Sequence, residues 1–284
     1  QAGGTLLARG YQAFREVSRE FPAPITTTSI LEGNTTARGL LENRAGRGPL
    51  PAYEPLTRYL TALLPLRGPG ARWPRRMRTR NVSPYVIRNL ASEDQTAVSD
   101  LYERASRSFD GLVLPIIVNH HSDAGLWPGL NWSDMLGVFA GRDLLGLIAV
   151  WNRMPVQQIR LSHLHPVLTF LQRFWSVGRA FWGECPLPPS GTEVPHLLLD
   201  PWLIAPGRER EIGPLLLDAA LTRAAARHAL FVAFGVPEWH PMREVIRRFF
   251  HVPYWSMLYT VRWPETPAVP TGVEKRLIPP LGTL

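Results

Sequence analysis

The stretch Ile204 to Leu217, I-A-P-G-R-E-R-E-I-G-P-L-L-L, has the make-up of a loop that leaves a strand and enters a helix. Such a junction binds anions, because the first amides of a helix lack internal acceptors and the helix dipole is positive at that end. Arg208 and Arg210 add cationic side chains, while Glu209 and Glu211 put negative charge in the same place. At an effective dielectric near 20, one such carboxylate about 6 Å from a unit anion repels it by roughly 3 kcal/mol, less if it swings into water. An anion-binding loop, one that has lost its ligand, and a charged surface turn all remain open on these residues. Elsewhere, His120-His121-x-Asp123 and His163-x-His165 are metal-ligand types at short spacing. No third and fourth ligand stands at a supporting distance, so no metal site is expected.

The elements that must position this loop follow from periodicity. Residues 4–20 place Leu7, Tyr11, Phe14 and Val17 at helical spacing, and Ile25 to Leu31 is β-branched and strand-like. Residues 34–44 read as a helix with Asn34 at its N-cap, and 53–64 as a strand. Residues 65–84 are rich in Pro, Gly and Arg without periodicity and read as a linker. A second unit starts at Tyr85 with a short strand and a helix to about Ser108, Ser92 being its expected N-cap. Strands at 135–140 and 144–151 flank Gly141-Arg142-Asp143, a hairpin signal. Residues 155–193 form an aromatic, Pro-rich excursion with an expected helix at about 166–181. Its Phe170, Phe174, Trp175, Phe181 and Trp182 could wall a pocket, although closing the core is the commoner use of such residues. The strand H-L-L-L-D-P-W-L-I, the opening loop, a helix to about Arg227, the strand F-V-A-F-G, a helix at 239–250 and a strand ending at Trp263 complete the order. A Pro-rich tail occupies 264–284.

The chain has 284 residues, 45% of them hydrophobic, enough for one large or two ordinary domains. The formal charge of +8 invites a nucleic-acid partner. Lys275 is the single lysine, however, and Arg72, Arg75, Arg76, Arg78 and Arg80 fall in the linker, where a solvated segment is favoured over phosphate contact. No run of about eighteen apolar residues suggests a membrane span, and Cys185 alone forms no internal disulfide, so a cytoplasmic location is expected. The order of mixed elements predicts an α+β (α/β) fold with an antiparallel hairpin.

I-R-N-L-A-S-E-D, the hairpin L-G-V-F-A-G-R-D-L-L-G-L-I-A-V and the loop I-A-P-G-R-E-R-E-I-G resemble the GNAT superfamily of acyl-CoA-dependent N-acetyltransferases over residues 85–263. The resemblance implies a mixed central sheet flanked by helices. The first unit resembles the second half of the same fold: Q-A-G-G-T-L-L matches the end of the coenzyme loop, and Asn34 with Ala37 matches the N-x-x-A pattern. The chain is therefore expected to be a tandem pair cut inside its first member, residues 1–64, with the two units packed together.

In the family the loop reads like P-x-x-R-G-x-G-x-G and its amides hold the coenzyme A pyrophosphate. That role falls here on Arg208, Glu209, Arg210, Glu211, Ile212 and Gly213, with glutamates where two glycines are usual. Leu203, Ile204 and Ala205 would meet the thioester carbonyl and pantetheine. Ala2, Gly3, Gly4 and Asn34 would touch coenzyme in the first unit, and His240 takes the place of the asparagine in the second. The tyrosine that usually protonates the thiolate is replaced by Leu41 in the first unit and by Arg247 or Arg248 in the second. Tyr254 and Tyr259 are the remaining candidate acids, and Glu238 and Asp200 the candidate bases. The implied activity is acetyl transfer from acetyl-CoA to a small-molecule or peptide amine by direct attack. The alternative is a non-catalytic GNAT-like domain serving as a binding partner, which the altered loop and missing tyrosine favour.

Overall fold

A computed structural model describes residues 2–20, 26–43, 50–67, 84–108, 111–112, 129–155, 191–227, 229–263, 277–279 and 281. The linker arginines, His120, His121, Asp123, His163, His165, Cys185, the aromatics of the excursion and most of the tail lie outside these residues. In chain order the elements are α1 (Ala2–Glu20), β1 (Thr27–Leu31), α2 (Thr35–Asn43), β2 (Ala52–Pro65) and β3 (Tyr85–Asn89). Then come α3 (Gln95–Ser106), β4 (Gly111–Leu112), β5 (Met135–Ala140), β6 (Asp143–Ala149), β7 (His196–Leu198) and β8 (Trp202–Ile204). The last are α4 (Glu209–Ala225), β9 (Phe231–Pro237), α5 (Met242–Ile246), β10 (Val252–Arg262) and β11 (Leu277–Ile278).

Two sheets carry the fold, in the orders β1-β10-β2-β9-β7 and β3-β5-β6-β8, and β11 pairs with β4. A bridge between Trp151 and Leu198 joins the sheets, so β7 and β8 behave as two halves of one broken strand. The sequence pattern over 196–204 predicts a strand, with Asp200-Pro201 having the make-up of a bulge or turn within it. The break falls at Asp200-Pro201, whose peptide bond is cis. Proline has no N–H to donate, and the chain changes neighbour there: β7 runs parallel to β9, and β8 antiparallel to β6.

Alternation along the strands fixes what each face buries. Leu60, Ala62 and Leu64 of β2 join Val232, Phe234 and Val236 of β9 in a core with Ile212, Leu215 and Leu216 of α4 and Val245 and Ile246 of α5. A second core packs α3, through Val98, Leu101 and Ala105, onto β5 and β6. Ser92 does not cap α3: a 3-10 turn over Ser92–Asp94 intervenes. Asp94 accepts from the Ala91 amide at 3.0 Å and pairs with Arg88 at 2.6 Å. The helix expected over 239–250 is limited to α5, which follows Pro241 and gives way before β10.

β1-α2-β2 and β9-α5-β10 are both strand-helix-strand units. Asn34 caps α2 by accepting from the Ala37 amide at 3.1 Å, and His240 caps α5 by accepting from the Met242 amide at 3.1 Å. The Glu32 amide donates to Trp255 O at 3.0 Å, and the Glu238 amide to Arg58 O at 2.8 Å. Each unit inserts its last strand between the two strands of the other, so β10 lies between β1 and β2, and β2 between β10 and β9. The strands on either side of the linker are thus interleaved in one sheet.

Candidate functional site

Past the break at Asp200-Pro201, β8 is the last strand of its sheet and β9 pairs with β7 only over Phe231–Ala233, so β8 and β9 are not paired with each other. The Ala205 amide donates to Leu145 O and the Ala149 amide to Pro201 O, both at 2.8 Å, so odd-numbered residues of β8 spend their backbone groups on β6. Leu203 and Ala205, expected to offer amides to a ligand, are therefore engaged within the sheet. Ile204, out of phase with them, turns its backbone groups to the unpaired edge of β8.

Trp202, on β8, reaches across to β9. Its indole Nε1 donates to Gly235 O at 3.2 Å and its ring meets Phe234 at 5.2 Å and His240 at 5.0 Å. The indole supplies the donor that β9 would otherwise receive from a neighbouring strand, and so bridges the two strands. His240 lies against it in the core; burial pushes its imidazole down to about 3. Nothing in the periodicity singled out Trp202, because a tryptophan in a buried strand is ordinary; its role depends on the strand break.

Beyond β8 the chain turns through Pro206 and Gly207, whose φ of +78° suits glycine, into the first turn of α4. Here the sequence expectation and the geometry part in detail. The Glu211 and Ile212 amides donate to Arg208 O, while those of Glu209 and Arg210 have no acceptor among the described residues. Ile212 and Gly213 face the core, Gly213 against Met242 of α5. Glu209 is buried and Arg210 exposed. Arg208 and Glu211 form an ion pair at 2.7 Å, the Tyr85 hydroxyl donates to Glu211, and Arg208 donates to Tyr85 Oη at 2.8 Å. The Tyr85 hydrogen bond, followed by Arg208, holds the Glu211 carboxyl below its ordinary range. Arg208 is thereby committed to a carboxylate of its own chain, and the helix dipole is met by Glu209 and Glu211.

The candidate proton-transfer groups lie in different settings. Glu238 accepts from Arg58 at 3.0 Å; Arg58 also binds Glu32 and lies 4.3 Å from the Trp255 ring centre. Asp200 is buried at the strand break. Tyr254, 39% exposed, is the third residue of β10 and lies opposite Thr61. Asp200 and Tyr254 both act on Tyr59, a residue that sequence reading passed over as part of a strand. Burial first, then those two groups, hold the Tyr59 phenol far above its ordinary range. Tyr259 is buried, donates to Glu42 and accepts from Arg38 at 3.3 Å, a structural role. Ala2, Gly3 and Gly4 fall in the first turns of α1. Among the described residues no group of three His, Cys, Asp or Glu side chains could hold a metal, and no helix is long and apolar enough to cross a membrane.

No protein-family model and no well-characterised protein matches the sequence. Among solved structures, the chain is similar to a GCN5-related N-acetyltransferase from Sphaerobacter thermophilus, at 14% identity and a TM-score of 0.50, over 95% of this chain and 71% of that one. It is similar to a Drosophila protein at 14% identity and a TM-score of 0.42, over 84% of this chain and 60% of that one. A functionally unknown conserved protein from Staphylococcus epidermidis is similar at 7% identity and a TM-score of 0.38, over 73% of this chain and 62% of that one. The first likeness concerns the fold: this is a mixed α+β, GNAT-like architecture, a curled mixed sheet flanked by helices.

Proposed function

We propose that the chain acts as a GNAT-like N-acetyltransferase, moving an acetyl group from acetyl-CoA to an amine by direct attack. The carrying observation is the broken strand 196–204, which leaves the Ile204 edge of β8 without a partner strand just ahead of α4. When bound, acetyl-CoA supplies the activated thioester. In this reading Ile204 donates its amide to the carbonyl or pantetheine. The free amides of Glu209 and Arg210, with the Arg208 and Arg210 side chains, take the pyrophosphate. Glu238, the more accessible of the two candidate carboxylates, accepts the proton of the amine, and Tyr254 is the phenol open to return one. The acceptor is a small-molecule or peptide amine.

The Trp202 bridge and the Tyr85–Arg208–Glu211 contact favour a second reading, a non-catalytic GNAT-like domain that binds a ligand or protein. In this second reading the two contacts keep coenzyme out, and binding requires Trp202 and Glu211 to move. Calorimetric titration of acetyl-CoA into the full chain, beside a Trp202→Ala/Glu211→Gly variant, separates the two. Micromolar binding by the unmodified chain supports the transferase. Binding by the variant alone supports the second reading, and binding by neither removes the coenzyme site.

A further inference from the structure

The face of the five-stranded sheet turned away from α4 carries a cavity of about 440 Å³, within the ordinary range for small-molecule sites. Strand register divides its base into two rows. Leu63, Ala233 and Leu198 lie side by side across β2, β9 and β7 and make an apolar strip. In the next row on this face Tyr254, Thr61 and Gly235 lie side by side, so Tyr254 and Thr61 set a polar border along the strip. Gly235 O accepts from the Trp202 indole of β8, so the polar row runs toward the unpaired edge that the transferase reading gives to the thioester.

Among the described residues no Asp, Glu, Lys or Arg lines the cavity. Tyr59, in its wall, stays a neutral phenol, because burial holds it far above its ordinary range, and its hydroxyl donates to Pro279 O. A charged group laid on the apolar strip would lose its water with no counter-ion in return, whereas an aliphatic or aromatic group there is stabilised by burial. Tyr254, 39% exposed, keeps the polar row in touch with solvent, where an ammonium loses its proton before attack.

We propose that this cavity is the acceptor pocket of the transferase reading, on which the proposal rests, and that its substrate is a small primary amine on an apolar, uncharged body. The body lies on Leu63, Ala233 and Leu198, and the nitrogen on the row of Tyr254 and Thr61. The nitrogen bonds to the acetyl carbon as the C–S bond breaks. One proton leaves the nitrogen for Glu238 and the thiolate takes one from Tyr254, giving the N-acetylamine and coenzyme A. The test is calorimetric titration of the full chain with acetyl-CoA, then coenzyme A release with 2-phenylethylamine, 4-(2-aminoethyl)benzoate and ethylamine, all primary alkylamines. From the apolar area buried, kcat/KM is expected to be roughly a hundredfold higher for 2-phenylethylamine than for ethylamine, and about tenfold or more higher than for the benzoate. Ala233→Leu fills the strip and should cut the ratio of 2-phenylethylamine to ethylamine about tenfold while acetyl-CoA still binds. No acetyl-CoA binding removes the transferase reading and the acceptor role with it. Acetyl-CoA binding without this order among the amines, or an undiminished ratio in Ala233→Leu, overturns the acceptor pocket alone. Should Ala233→Leu fail to fold, the order among the amines in the unmodified chain decides.

Discussion

His240 shows how one side chain ties helix capping to pH. Its Nδ1 accepts from the Met242 amide, its ring lies edge-on to Trp202, and burial lowers its pKa from 6.5 to about 3. Below pH 6.5 the unfolded chain takes up a proton that the folded chain refuses until about pH 3. Stability therefore falls as pH drops through that window, by about 1.4 kcal/mol between pH 7.5 and 5.5. Urea unfolding at the two pH values measures it, and His240→Asn, which keeps a capping side chain, should lose most of the difference. Parallel curves for both proteins would dissociate the effect from His240. Gly235 is fixed by a neighbour: a Cβ there would lie 2.7 Å from Tyr59 Cε1 and collide with its hydroxyl, which donates to Pro279 O at 3.1 Å. That bond holds the C-terminal segment to the sheet.

At the scale of elements, the helix ends and the strand break set what the site offers. Asn34 closes the first turn of α2 as its position in sequence implies, and Asn34→Ala should lower the unfolding free energy by about 1 kcal/mol, with Asn34→Asp retaining most of it. Denaturant midpoints decide, and an unchanged Asn34→Ala midpoint would show that α2 adds nothing to the cooperative fold. At α4 the first turn is acidic, with Glu209 buried and Glu211 paired to Arg208 and Tyr85. The same dipole that would attract a phosphate is already answered by carboxylates, which is why the anion-type loop and its rivals could not be separated by residue type alone.

At the scale of the molecule, the strand-helix-strand segments 27–65 and 231–262 share one sheet. β2, at residues 52–65, has β10 on one side and β9 on the other, so a chain beginning at residue 84 would leave two long strand edges bare. Such a truncated protein is expected to lose cooperative unfolding or to self-associate, as measured by circular dichroism and size-exclusion chromatography. A stable monomer would show that the second unit folds without the borrowed strand. Much of this architecture is written locally: the hairpin at Gly141-Arg142, the cap at Asn34, α4 and the alternation of β2 and β9 all follow from spacing and turn chemistry that act within a few residues. The α+β class follows with them, while the GNAT-like order rests on the resemblance carried by residues 87–94, 136–150 and 204–213. What local pattern could not carry is pairing. H-L-L-L-D-P-W-L-I reads as a strand with a bulge or turn at Asp200-Pro201 until β9 and β6 claim its two halves, and Trp202 and Tyr59 look like ordinary sheet residues until Gly235 and Pro279 come to lie against them. Periodicity records which face of an element is apolar. Which strand lies beside it is decided only when residues distant in sequence meet.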